Sequence, residues 1–178
     1  LLLERRRVLS SFNLRLLTDA EVKYIYGDPA PYIGEDGRVS KAWELAILDS
    51  FYLPAPLPLS WGGVATKISC HKKVYPWAYS IFNTLWKNKL WHLIEDYGGC
   101  FEWRANKNNA IKRSRHSWGI AFDLNVKKNP NKGASNQPRE LVKVFNDMGF
   151  VWGGDFADNP DADTFDYDPM HFEIGTKA

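Results

Sequence analysis

Apolar residues recur at three- and four-residue steps over 76–97, at Trp77, Ile81, Leu85, Trp86, Leu93 and Ile94, which predicts the strongest helix of the chain. Pro76 suits its first turn and Gly98-Gly99 supplies a stop. A second helix is predicted from Pro138 to about Met148, with Leu141, Val142 and Phe145 inward. Thr18 can cap a third over Asp19 to Tyr26, ended by Gly27-Asp28-Pro29, and Val8, Leu9, Phe12, Leu14 and Leu16 suggest a short helix before it. Residues 28–40 read as loop. Pro54, Pro56 and Pro58 make 53–63 an extended, irregular segment.

Strand patterns gather in the second half. Cys100 to Trp103 reads as a short strand, 104–118 as a polar and basic loop, Gly119 to Asn125 as an alternating strand and 126–137 as an exposed loop. The tail holds Val151-Trp152, an acidic Gly/Asp/Pro loop, and a final strand around His171 to Ile174. Helices and short strands segregated in this way predict an α+β domain, with a small, mainly antiparallel sheet and helices packed on one side. The expected organisation is one domain over 1–178, with 1–70 helical or irregular and 71–178 as the core.

Composition narrows the classes. The 178 residues suit one domain, and 44% hydrophobic with 25% charged residues is ordinary globular composition. A net charge of +2, from 23 basic and 21 acidic residues, gives no electrostatic case for nucleic acid. No apolar run approaches the roughly 18–20 residues that span a bilayer. Leu1-Leu2-Leu3 meets Glu4 and Arg5 to Arg7 at once and is no signal-peptide core, so export cannot be judged from this end. Cys70 and Cys100 could pair or stay free, and no Cys-x-x-Cys pair offers a cysteine zinc site. The 8 Trp could fill the core or line a cleft for sugar or peptide.

Two segments carry candidate chemistry. In Ser114-Arg-His116-Ser-Trp-Gly119-Ile-Ala121-Phe-Asp123-Leu-Asn125, alternation puts Ile120, Phe122 and Leu124 on a core face and Ala121, Asp123 and Asn125 on a cleft face. His116 lies just before the strand, where a turn can swing it beside Asp123. In Asp168-Pro-Met-His171-Phe-Glu173-Ile174, Phe172 and Ile174 face in, and His171 and Glu173 face the opposite side. Two His and one Asp make a three-ligand zinc set with a fourth position for water, and Asp168 stands where a general base to that water would be needed. His71 and His92 lack a partner at ligand spacing and read as structural or solvated. Arg113 and Arg115 read as part of a solvated basic loop, and Asp155 as either a cleft residue or a turn cap. Asp161, Asp163, Asp166 and Asp168 lack the glycine and terminal glutamate of a calcium loop.

Ser114-x-His116-x-x-Gly119-x-Ala121-x-Asp123, paired with Asp168-x-x-His171, resembles the signature of the zinc D-Ala-D-Ala carboxypeptidase and L-alanyl-D-glutamate endopeptidase family. Gly98-Gly-Cys-Phe-Glu-Trp-Arg104, Trp152-Gly-Gly-Asp155 and Asp168 to Glu173 are similar to its endopeptidase-like, phage-endolysin branch, and the resemblance runs from about residue 70 to 175. It implies a hedgehog/D-Ala-D-Ala-peptidase-like fold with zinc in a surface cleft. It further implies His116, Asp123 and His171 as Zn2+ ligands, Asp168 as general base and later acid, and Arg104 steadying the carbonyl oxygen. Ser114 would support the ligand loop, and Glu173 is a rival base better suited to orienting a ligand. The implied partner is a peptidoglycan stem peptide, met by a monomer with no membrane span at the cell wall, periplasm or outside the cell. The implied reaction is hydrolysis of L-Ala–D-Glu; the alternatives are removal of terminal D-Ala, or a zinc-containing wall-binding module without catalysis.

Overall fold

The computed structural model describes residues 13–108, 110–158 and 167–177. Its architecture is α+β, with mainly antiparallel sheets. In chain order come β1 (Leu14–Leu16), α1 (Asp19–Tyr26), α2 (Lys41–Ile47), β2 (Leu48–Pro58), β3 (Val64–His71), α3 (Tyr75–Lys87), β4 (Tyr97–Gly99), β5 (Ala121–Leu124), α4 (Arg139–Asp147), β6 (Phe150–Trp152) and β7 (His171–Lys177). The principal sheet runs β1-β7-β5-β4, with β6 also pairing β7, and β2 and β3 form a separate hairpin.

One face of the principal sheet is aromatic. Phe122, Phe150 and Phe172 are fully buried and meet Phe145 of α4 at ring separations of 6.2, 5.7 and 4.4 Å; Phe82 of α3 lies 6.0 Å from Phe122. Helices α3 and α4 therefore cover the apolar face that strand alternation leaves on β5 and β7. The opposite face is free to carry polar side chains.

Local chemistry explains both agreement and difference with the sequence patterns. At α1, Glu21 N donates to Thr18 Oγ1 and Thr18 N donates to Glu21 Oε2, a reciprocal cap worth about 1 kcal/mol. Leu14 to Leu16, expected in a helix, instead form an edge strand on β7, where Leu14 faces Lys177; residues 1–12 lie outside those described. The proline-rich stretch is a strand rather than irregular. Prolines 54 and 56 fall where the β2–β3 register shifts between Tyr52 and Leu57, so their missing N–H groups cost the ladder little. Helix α3 stops at Lys87, not at 97, because Lys89 turns to φ 59° and sends Trp91 back against Phe82 and Trp86. His92 accordingly sits in a 3-10 turn, Trp91–Leu93.

The strand expected at Cys100 to Trp103 is displaced to β4, which takes in the two glycines proposed as a helix stop. A Cβ on Gly98 would lie 2.9 Å from Asp123 Cβ and 2.5 Å from Val126 Cγ2, so glycine here permits β4 to lie close against β5. Residues 28–40 hold a 3-10 turn, Ala30–Tyr32, and an Ile33–Val39 bridge. Cys70 and Cys100 are free and buried. Among the described residues no helix is long and apolar enough to cross a membrane.

Candidate metal centre

Strand register brings the two candidate segments together. Asp123 on β5 lies directly opposite His171 on β7. His116 reaches them from a buried 3-10 turn, Arg115–Trp118, whose first residue is capped by Ser114: Ser114 Oγ accepts from His116 N at 3.4 Å. Two indoles anchor that turn from the N-terminal half. Trp43 Nε1 donates to Ser117 O at 3.0 Å, and Trp118 Nε1 donates to Gly27 O at 2.8 Å.

Three acceptor atoms then converge. His116 Nε2 lies 3.1 Å from Asp123 Oδ1 and 3.2 Å from His171 Nδ1, and His171 Nδ1 lies 3.0 Å from Asp123 Oδ1. The outer nitrogens fix the tautomers. His116 Nδ1 meets the Cys100 carbonyl oxygen at 2.6 Å, and a carbonyl can only accept, so Nδ1 carries the proton. His171 Nε2 donates in the same way to Glu173 Oε2 at 2.9 Å. Neutral imidazoles so held turn both lone pairs, beside a carboxylate oxygen, toward one point. That arrangement repels itself unless a cation or a proton sits among the three atoms, and it is the donor set and outer anchoring that zinc favours. Among the described residues this is the His/Cys/Asp/Glu group able to hold a metal ion.

The electrostatics agree. Burial opposes charge on His171, but hydrogen bonds to Asp123 and Glu173, and their charge, outweigh it and raise its pKa to about 10. Burial likewise opposes ionisation of Asp123, yet the two imidazoles hold its carboxyl well below the usual range. Glu173 is lowered against its own burial by His171 and Arg115.

Asp168 is buried beside this centre. His171 N donates to its carbonyl at 3.0 Å, closing a tight turn, and Asp168 N donates to Gly153 O. A Cβ on Gly153 would come within 2.2 Å of Asp168 O, so the backbone reaches this position only past glycine. Asp168 Oδ1 has no hydrogen-bond partner among the described residues, and burial pushes its pKa up. Buried orphan oxygens are rare, and a functional site is one place where they persist.

Asp168, His171 and Glu173 open onto a cleft of about 590 Å³, also lined by Ser114, Arg104 and Arg115. Arg104 is held by Glu102 Oε2 at 2.8 Å and by Ala105 O at 3.3 Å. Arg115 departs from the solvated-loop expectation. Its guanidinium donates to Asp19 Oδ1 and Leu17 O, each at 2.7 Å, and its Nε stands 3.5 Å from Glu173 Oε1. A chain of contacts thus runs Asp19–Arg115–Glu173–His171. No local pattern could reveal it, because Asp19 and Arg115 are 96 residues apart. Arg113 also has a partner, lying 4.1 Å over the Trp103 ring.

Other candidates fall outside the centre. Asn125, expected on the cleft face, turns away at φ 54°, and its amide binds Glu95 N, Leu93 O and Gln137. His71 is buried, its Nε2 facing the Tyr26 carbonyl, and His92 binds Lys89 O. Asp155 is exposed in a 3-10 turn, Gly153–Asp158; Asp161, Asp163 and Asp166 lie outside the described residues.

No curated protein and no solved structure gives a significant match to the chain. Residues 107–174, which hold the converging His116, Asp123 and His171 together with Asp168, match the family model described as D-alanyl-D-alanine carboxypeptidase, and this supports placing the chain in the zinc peptidase family that its two motifs resemble.

Proposed function

We propose that this chain is a zinc-dependent peptidase that hydrolyses an amide bond in peptidoglycan stem peptides, with L-Ala–D-Glu as the bond. The observation that carries the reading is the convergence of three acceptor atoms within 3.0–3.2 Å, both imidazoles anchored through their other nitrogen, beside a buried carboxylate with one oxygen unpaired among the described residues. His116, Asp123 and His171 would hold the ion. Zinc so bound supplies Lewis acidity, polarising a carbonyl and making water acidic near neutral pH.

The chain's own groups supply the rest. Asp168 takes the proton of the attacking water at Oδ1 and returns it to the leaving amine; its raised pKa suits both directions of transfer. Arg104 faces the carbonyl oxygen as negative charge develops there, help typically worth about 2.7–4 kcal/mol at oxyanion sites. Ser114 holds the His116 turn, and Glu173 orients His171 rather than acting as base, because its Oε2 is already engaged by Nε2. The whole chain is read as one domain, since one continuous core includes Leu17 and Ile174 and Asp19 reaches the centre through Arg115; the proposal takes it to act as a monomer. Its place of action would be the cell wall, periplasm or extracellular space.

The second reading, favoured by the description of the matching family, is release of terminal D-Ala. Incubation with muropeptides and mass identification of the new amino terminus separates the two. A non-catalytic wall-binding module would have no use for a buried Asp168 oxygen that finds no partner among the described residues. Zinc analysis with wall digestion, with and without chelator, tests the proposal: zinc-loaded protein that leaves both bonds intact removes it.

A further inference from the structure

The cleft is lined by six cationic side chains, Arg15, Arg104, Lys107, Lys112, Arg113 and Arg115. The arginines are committed within the protein. Arg15 forms a two-pronged pair with Glu21, Arg104 binds Glu102, Arg113 lies over Trp103, and Arg115 spans Asp19 and Glu173. Lys107 and Lys112 are exposed and form no salt bridge with any described residue, although the charge of Lys107 reaches Asp168. Both residues line the cleft from one pair of antiparallel segments. Asn106 N donates to Lys112 O, Ala105 bridges Arg113, and Ser114 N donates to Arg104 O. A reciprocal amide pair between Asn108 and Asn131 ties the first of these segments to the neighbouring loop. Among the described residues, two cationic side chains of the cleft lining are therefore in no ion pair, and the charge of one of them, Lys107, acts on Asp168.

The chemistry of the proposed substrates says what group could meet them. In L-Ala–D-Glu, joined onward through the γ-carboxyl, the carbon bearing the scissile nitrogen carries a free α-carboxylate. The same carbon of D-Ala–D-Ala carries the terminal carboxylate. We propose that Lys107 and Lys112 form a carboxylate subsite on the leaving-amine side of the cleft, making the α-carboxylate next to the scissile nitrogen a condition of good binding. The inference rests on the peptidase reading and extends it to a specificity determinant.

Two synthetic peptides test it: L-alanyl-γ-D-glutamyl-L-lysine and the same peptide with the α-carboxylate converted to carboxamide. Their binding to the zinc-loaded Asp168→Asn protein is measured by calorimetry, with and without the added pair Lys107→Met and Lys112→Met. The acid should bind about tenfold more tightly than the amide, about 1.4 kcal/mol, and the methionine pair should bring the ratio to about one while zinc content stays unchanged. Equal binding of the two peptides, no binding of the acid, or a preference that survives the double substitution overturns the subsite. Turnover of the acid peptide by the unsubstituted protein is followed in parallel. Its absence counts against the peptidase reading and leaves the binding ratio to decide the subsite.

Discussion

Replacing Arg115 by methionine should loosen the metal centre without touching any of the three converging atoms. Methionine keeps much of the aliphatic stem and removes the guanidinium. The bond to Asp19 has a half-exposed partner and is worth about 0.2–1 kcal/mol. The contact with Glu173 matters more, because that carboxylate is buried and would keep only His171 as an ion-pair partner among the described residues. Breaking a buried pair costs about 3–5 kcal/mol. Here Nε stands 3.5 Å from the carboxylate and His171 remains as a partner, so about 2–3 kcal/mol is expected. For a chain of this size that lowers the melting temperature by roughly 4–12 °C. Glu173 would also hold His171 less firmly, and loss of such outer support typically weakens metal binding about 10–100-fold. Competition with a chromophoric chelator at fixed pH reads the affinity, and thermal unfolding reads the stability. Adding Glu173→Gln should recover part of the lost stability, since the stranded charge is removed. A folded Arg115→Met protein that holds zinc as tightly as the parent refutes the contact chain as a support of the centre.

Asp168→Asn should keep zinc and lose about 10²–10⁴-fold in turnover, whereas His116→Ala should lose both; zinc analysis beside peptide hydrolysis checks the pair. In the metal-free protein the pKa of His171 is raised from 6.5 to about 10, so its proton is held more tightly in the folded state. That stabilisation is complete below pH 6.5 and is lost as pH rises toward 10. Denaturant midpoints of the metal-free protein should fall across that window, and a flat profile contradicts the assignment. Zinc binding at pH 7 should release this proton, detectable as a binding heat that varies with the ionisation enthalpy of the buffer. Phe145→Ala should cost about 3–5 kcal/mol in urea unfolding, because the ring packs on Phe82, Phe122, Phe150 and Phe172. Burial pushes the Cys70 thiol up to about 12 and Cys100 well above its ordinary value, so neither should react with a thiol reagent at pH 8 until denaturant is added.

Side-chain periodicity settles on its own which faces of β5 and β7 turn inward, because neighbouring residues on a strand must point oppositely. Ile120, Phe122, Leu124, Phe172 and Ile174 are accordingly in the core. The Thr18 cap was equally legible, since it acts within one turn, and the structure adds Glu21 as its reciprocal partner. Positions that depend on distant neighbours were not. Leu14 to Leu16 became a strand through an edge supplied by β7, and Gly98-Gly99 entered β4 because β5 lies against it. Arg115 found partners at residues 17, 19 and 173. The two motifs name the imidazoles and carboxylates, but local sequence does not fix the register that sets Asp123 opposite His171, nor the carbonyl of Cys100 that assigns the His116 tautomer. Alternation and capping are set by bonds between near neighbours; the geometry of the centre is set by packing among segments as much as 98 residues apart.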